Sequence, residues 1–234
     1  MPQAVTLTFH RFARTRDRLW AFAMMGLLRP ALARTPGIGF WKLLGSGTGE
    51  GFTPVPNTAV YAILATWPDA ETARRATTEA PAFRRFAARA AECWTVVLTP
   101  FSVTGRWAGQ TPFTPAPGTT HAALAALTRA TLRPQSLWRF WARVPDISRA
   151  IGANRDVAFK IGVGEVPWLH QVTFSIWPDT AAMARFARQG PHAEAIARVR
   201  AEGWFREELY ARFTVHSDHG TWNGGSPLAR LETP

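Results

Sequence analysis

Apolar and polar positions alternate in short runs along this chain, and between those runs apolar residues recur at helical spacing. Thr6-Leu-Thr-Phe-His10 alternates strictly, and Ala126-Leu-Thr-Arg-Ala130 repeats the pattern; both predict half-buried strands. Val60 to Trp67 and Gln171 to Trp177 are rich in β-branched and aromatic residues and predict two further strands. Shorter strands are expected around Lys42 and Lys160, and a last pair beginning at Trp94 and Trp204. Helices fall between them. One carries Leu19-Trp-Ala-Phe22 and another Leu137-Trp-Arg-Phe140. A second kind, Ala70 to Ala90 and Thr180 to Arg200, opens at a Trp-Pro-Asp corner, where Pro and Asp suit a helix start. Pro81 and Pro191 should break these helices near their middles.

The predicted elements form two similar sets, because the chain repeats itself. Ala65-Thr-Trp67-Pro-Asp69 matches Ser175-Ile-Trp177-Pro-Asp179. Fourteen residues after each Trp stands a proline, Pro81 or Pro191, and twenty-seven after it another tryptophan, Trp94 or Trp204. Lys42-Leu-Leu-Gly45 answers Lys160-Ile-Gly162, which places the two lysines at equivalent strand positions. Gly105-Arg-Trp107 answers Gly220-Thr-Trp222. Self-similarity on this scale is read before any motif.

Each half reads β-α-β-β-α-β, the ferredoxin-like unit. Such a sheet has helices on one face and leaves the other bare, so two units on one chain can bury their bare faces together. The expected fold is α+β: tandem ferredoxin-like repeats fused into a domain of the dimeric α+β barrel type, enclosing a shared apolar chamber. Residues 1–109 form repeat one, the Pro-rich 110–120 a linker, and 121–234 repeat two. Repeat one has 25 residues between its Lys and Trp against 17 in repeat two, and the excess falls in the Gly/Pro-rich loop Gly45 to Asn57, a rim or lid. The fused barrel removes the usual need for a dimer; the oligomeric state stays open.

Composition narrows the class. At 234 residues with 47% hydrophobic and 12% aromatic content, a real core can form and disorder is excluded. One cysteine, Cys93, excludes an internal disulfide framework and makes a reducing cytoplasm the simplest compartment. The longest apolar run, Leu19 to Leu28, is too short to span a bilayer. Net charge is +11, and of 27 cations only Lys42 and Lys160 are lysines. Base-composition bias explains that as well as function does. An anionic partner is the sharper reading, and with 11 tryptophans an anionic membrane surface suits it better than nucleic acid, for which no motif is present.

Duplicated halves are redundant as structure, so a functional site should show as an asymmetry between them. Ala80-Pro-Ala82 in repeat one becomes Gly190-Pro-His192 in repeat two. A helix-borne imidazole at His192 facing a cavity would suit an axial haem ligand; a surface or capping histidine is the alternative. His170 opens a strand and is either a ligand, a group on the opposite side of a cofactor, or a strand-end hydrogen bonder. His10 is core or surface. Arg129, amid apolar residues, is a candidate inward donor. Lys42 or Lys160 could pair with a carboxylate such as a haem propionate. Cys93, whose counterpart is Gly203, is more simply a small buried residue than a thiolate ligand. There is no Walker loop, nucleophile elbow or zinc spacing.

Long segments then resemble one family. Phe40 to Asn57, Val60 to Pro68, Arg143-Val-Pro-Asp-Ile147, Phe159 to Pro167, His170 to Asp179 and Gly190-Pro-His-Ala-Glu-Ala-Ile196 are similar to the spheroidene monooxygenases, the acyclic carotenoid 2-ketolases of purple phototrophic bacteria. The resemblance runs from about Thr6 to Trp222. It implies a haem b monooxygenase that uses O₂ and reduced ferredoxin to oxidise C-2 of a spheroidene-type carotenoid, first to an alcohol and then to a ketone. It also implies an apolar channel for the substrate and peripheral contact with the membrane. Related barrel haem proteins carry the ligating histidine on a helix packed against the sheet, which favours His192 for the metal. In some haem-degrading relatives the ligand comes a helical turn later, where this chain has Ile196, so His170 stays a rival.

Overall fold

The computed structural model describes residues 1–49, 51, 53–117, 123–142, 156–188 and 201–231, with side chains of 187 and 188 excepted. His192, Pro191, His121, Arg143 to Ile147 and the helix beyond Arg188 lie outside them.

Eight antiparallel strands close into one barrel: β1 (Ala4–Arg11), β2 (Trp41–Gly47), β3 (Pro56–Trp67), β4 (Glu92–Gly105), β5 (Leu124–Leu132), β6 (Phe159–Gly164), β7 (His170–Trp177) and β8 (Phe205–Gly220). Around it they run β1-β3-β2-β6-β7-β5-β8-β4. Each half therefore supplies four neighbouring positions, β4-β1-β3-β2 and β8-β5-β7-β6. The two seams differ. β4 and β8 pair along most of their length, from Trp94 opposite Gly220 to Gly105 opposite Leu209. β2 and β6 pair only at Gly45–Gly164 and Ser46–Val163. Beyond that point the chain of repeat one turns away into the Gly/Pro-rich loop.

Helices α1 (Thr15–Leu27) and α2 (Arg29–Ala33) lie between β1 and β2, and α3 (Ala70–Glu79) and α4 (Pro81–Ala87) between β3 and β4. The break at Pro81 is as expected: Ala80 leaves helical geometry with ψ at 137° and Pro81 starts the next helix. Asp69 caps α3, accepting from the Thr72 N–H at 2.7 Å. In the second half Asp179 does the same for α5 (Thr180–Arg188), accepting from the Ala182 N–H at 2.7 Å. Residues 137–142 are helical, following a short 3₁₀ turn.

Strand alternation sorts the core. Val5, Leu7, Phe9, Leu44, Ala62, Leu64, Val96, Leu127, Ile161, Phe174 and Phe213 point inward. An eight-stranded barrel is just wide enough for side chains to fill, and here they fill it. Trp94 lies 4.6 Å from Phe159 by ring centroids, and Phe9 stacks 5.6 Å from Trp94. The expected open chamber inside the barrel is thus corrected: aromatic rings occupy its place. Trp107 and Trp222, in matching turns after β4 and β8, close the two ends. The Pro-rich segment is not a free tether. Phe113 is buried against Phe213 at 5.2 Å, and Gln3 bonds the backbone on either side of it.

The outer face of the first-half sheet is sealed by α1 to α4 around Phe12, Tyr61, Ile63, Trp67, Phe83 and Phe86. On the second-half face the described residues form a cluster of Leu124, Val157, Trp177, Ala182 and Met183, with Phe186 against Trp177.

Candidate functional site

Two regions of the second half carry chemistry, one inside the barrel end and one on the outer sheet face. Inside, Arg129 continues the inward phase of Ala125 and Leu127, and His170 continues that of Val172 and Phe174. Glu165, just past β6, follows Phe159, Ile161 and Val163, while Lys42 shares the phase of Leu44. All four meet beneath Trp107. Glu165 accepts from Lys42 Nζ at 2.7 Å and from Trp107 Nε1 at 2.8 Å, with Arg129 at 3.5 Å. Arg129, 2% exposed, also pairs with Glu207, which accepts from the N–H groups of Ala108 and Gly109 at 2.8 and 2.7 Å. Strands β2, β5 and β8 and the turns after β4 and β6 thus share one network, with His170 of β7 beside it.

The network fixes protonation states. Burial alone would raise the Glu165 pKa, but hydrogen bonds from Lys42 and Trp107 and the charges of Lys42 and Arg129 outweigh it and hold the carboxyl below its ordinary value. Glu207 is held low as well: burial is outweighed by the Gly109 and Ala108 N–H groups and by Arg129. His170 goes the other way for an imidazole. Burial lowers its pKa, Glu165 opposes this, and Arg129, Lys42 and Arg206 add to the lowering, so it stays neutral at pH 7. Its Nδ1 stands 3.6 Å from Glu165 Oε2, too far for a hydrogen bond, and is buried without a partner.

His170, Glu165 and Gln171 face a cleft of about 210 Å³ that is otherwise walled by Phe22, Met25, Tyr61, Trp141, Val166 and Trp168. Small-molecule sites usually occupy about 300–1,000 Å³, so this cleft is too small to enclose a porphyrin. A larger cavity of about 970 Å³ lies toward the Trp222 end, where the wall parts between Asn57–Val60 and 157–161; Arg11, Lys160 and Arg230 line it.

The outer face of the second half is a surface of small side chains. One row across the sheet reads Lys160, Ser175, Ala126, Arg212, the next Gly162, Thr173, Thr128, Tyr210, and the third adds Gln171, Ala130 and Glu208. Its central residues run from glycine to threonine in size; Gly162, Ala130 and Ser175 are buried, and Ala126, Thr128 and Thr173 partly exposed. The chain that carries His192 leaves α5, which packs on this same side of the sheet.

Of the residues singled out in the sequence, the structure brings together Lys42, Arg129 and His170 and sets Lys160 apart. The two lysines are not equivalent. Lys42 pairs with Leu64, whereas Lys160 pairs with Ser175, the counterpart of Ala65. That one-residue offset turns Lys42 into the barrel and Lys160 out of it. Lys42 is committed to Glu165. His10 proves to be core: it is fully buried on the outer first-half face, 5.0 Å from Phe86, with both ring nitrogens unpartnered and its pKa lowered by burial to about 3. Burial pushes the Cys93 thiol up to about 11, which keeps it a neutral thiol rather than a ligand. Among the described residues no group of three His, Cys, Asp or Glu side chains is placed to hold a metal. Glu165, Glu207 and Trp107 were not singled out from the sequence. The inward phase of β6 running on to Glu165 was the available signal.

Comparison with known proteins gives a consistent picture. The chain is 51% identical to spheroidene monooxygenase of Cereibacter sphaeroides, over 99% of this chain and 72% of that protein. It is 47% identical to the Rhodobacter capsulatus spheroidene monooxygenase, over 98% and 96%, and 32% identical to that of Rubrivivax gelatinosus, over 88% and 80%. No family model matches. Among solved structures, an aldoxime dehydratase in complex with butyraldoxime aligns with a TM-score of 0.66 over 99% of this chain and 86% of its own, at 12% identity. A second aldoxime dehydratase aligns at 0.63. At that identity the likeness concerns the fold.

Proposed function

The chain belongs to the spheroidene monooxygenase family, an oxidoreductase family, and we propose from that premise that it is a haem b monooxygenase that oxidises C-2 of spheroidene or hydroxyspheroidene to the 2-hydroxy and then the 2-keto product, with O₂ and reduced ferredoxin as co-substrates. The observation that supports the site assignment is the asymmetry in side chains between the halves: where the outer rows of the first carry Trp41, Leu43, Ile63 and Val97, those of the second carry Lys160, Gly162, Thr173 and Arg212. The reading treats residues 1–109 and 121–234 as two ferredoxin-like copies joined by 110–120.

No side chain activates O₂ against an unactivated C–H bond; a bound haem would supply that chemistry. Ala126, Thr128 and Thr173, the partly exposed small residues of the second-half face, would lie against the macrocycle. Lys160 and Arg212, at the two edges of that face, are cations that would face a propionate, a role for which Lys42 is turned the wrong way. His192 is the proposed metal ligand. His170 is then left to the substrate side: a neutral imidazole at the head of an apolar cleft can hydrogen-bond the oxygen that accumulates at the end of the polyene. Arg129, through Glu165 and Glu207, keeps that end of the barrel rigid and holds both carboxylates ionised.

The decisive experiment supplies purified protein with spheroidene, reduced ferredoxin and ¹⁸O₂. The expected result is a 2-keto carotenoid as product, with ¹⁸O in the 2-hydroxy intermediate trapped on the way. Carotenoid or haem bound stoichiometrically without product would favour the alternative, a non-catalytic haem- or carotenoid-binding barrel.

A further inference from the structure

Large apolar side chains exposed singly are ordinary; a contiguous set is not. On α1, Leu19, Phe22 and Leu27 are 67%, 68% and 70% exposed, and Ala23 and Gly26 lie between them on the same outward stripe. Phe22 lines the cleft at His170 together with Trp168, which is 53% exposed, so the helix stripe and the β6–β7 turn form one surface. Trp168 does not hang there loosely. Its φ is +66°, a conformation a bulky side chain seldom adopts, and its indole N–H is tied to Pro54 O at 2.7 Å. Strain of that kind persists where the presentation of a side chain has a use.

The charge around this surface selects its partner. At the N-terminal end of α1, Arg14, Arg16 and Arg89 line a groove of about 680 Å³ in which Asp17 is the one carboxylate among the described lining residues, and Arg29 follows the other end of the helix. An exposed apolar stripe bounded by arginines, with a tryptophan at its margin, has the chemistry of a surface that meets lipid headgroups. We propose that α1 and the β6–β7 turn dock this protein on an anionic lipid bilayer, so that the cleft beside His170 opens directly onto the lipid. Docking stands on the surface alone. That the cleft draws its polyene from the bilayer rests on the function proposed above.

Leu19 and Leu27 lie outside the cleft, and both are exposed, so a Leu19→Ser/Leu27→Ser double variant leaves fold and cleft unchanged. Native protein should co-sediment with phosphatidylglycerol vesicles and, at equal lipid, at least tenfold less with phosphatidylcholine vesicles. The double variant should lose at least tenfold in affinity for the anionic vesicles, while Leu19→Phe/Leu27→Phe retains it. Detergent-dispersed carotenoid should be turned over equally by native and Ser variants, and vesicle-held carotenoid only by the native form. Equal vesicle binding by native and Ser variant would overturn the proposal, as would equal binding to both lipids. So would a stable dimer, in the absence of lipid, that the Ser substitutions dissociate. Lost vesicle binding in a protein that oxidises no carotenoid under either condition would retain the docking face and refute the function instead.

Discussion

The two outer sheet faces of this barrel occupy matching places and have opposite character. In the first half the rows across the sheet read Trp41, Ala65, Thr6, Val97 and Leu43, Ile63, Thr8, Thr95, and four helices seal them. In the second the same rows read Lys160, Ser175, Ala126, Arg212 and Gly162, Thr173, Thr128, Tyr210. The barrel interior shows a similar contrast. By register, Phe9 answers Arg129 and Val60 answers His170. At most of these matching positions the first half carries apolar side chains where the second carries polar or small ones.

The contrast is tested hardest at Arg129. Substituting the residue its counterpart carries, Arg129→Phe, leaves Glu165 and Glu207 without their shared cation inside the barrel end. Removal of one partner from a buried pair costs about 3–5 kcal/mol, to be read as a lower midpoint in urea. A loss below about 1 kcal/mol would mean the polar network is incidental.

His10 tests the sealed half. Its folded pKa, about 3, lies below the ordinary 6.5 because burial disfavours the charged ring. Its contribution is therefore complete above pH 6.5 and is lost as pH falls toward 3, by about 2 kcal/mol at pH 5. Urea melts of the native protein and His10→Leu between pH 7.5 and 5 should diverge by about that amount, the variant being the less pH-sensitive. Parallel curves would mean that the first-half face admits water.

Thr128→Phe sharpens the comparison on the second-half face. The large ring should cut haem uptake at least tenfold, measured by the pyridine haemochrome, with the far-ultraviolet circular dichroism unchanged. The smallest effect is expected where the halves agree. Asp69→Ala and Asp179→Ala each remove one helix cap and should each cost about 1 kcal/mol. Unequal costs would show that the two corners are not equivalent.

Much of this architecture was legible because it rests on local patterns. The Trp-Pro-Asp corners, the alternation in β1 and β5, and the break at Pro81 follow from backbone chemistry that a short window displays. The lysines were misplaced for a different reason. Strand faces alternate with every residue, and a one-residue difference in how β2 and β6 approach their shared seam is invisible until pairing partners are known. Glu165 was hidden in a turn sequence, where alternation formally ends, although its side chain keeps the phase of the strand before it. The chamber expected inside the barrel failed on volume: Phe9, Trp94, Phe159 and Phe174 are individually unremarked aromatics, and only closure of the sheet shows that they fill one space. Arg129 and His170 were chosen as separate candidates; their meeting at one barrel end is a property of the closed fold.

The most direct test of the division between the halves is the absorption spectrum of the purified protein beside those of His192→Ala and His170→Ala. A Soret band in the native protein that is lost or shifted in His192→Ala and kept in His170→Ala is the predicted result. A folded His192→Ala protein with native haem content and an unaltered spectrum would contradict it.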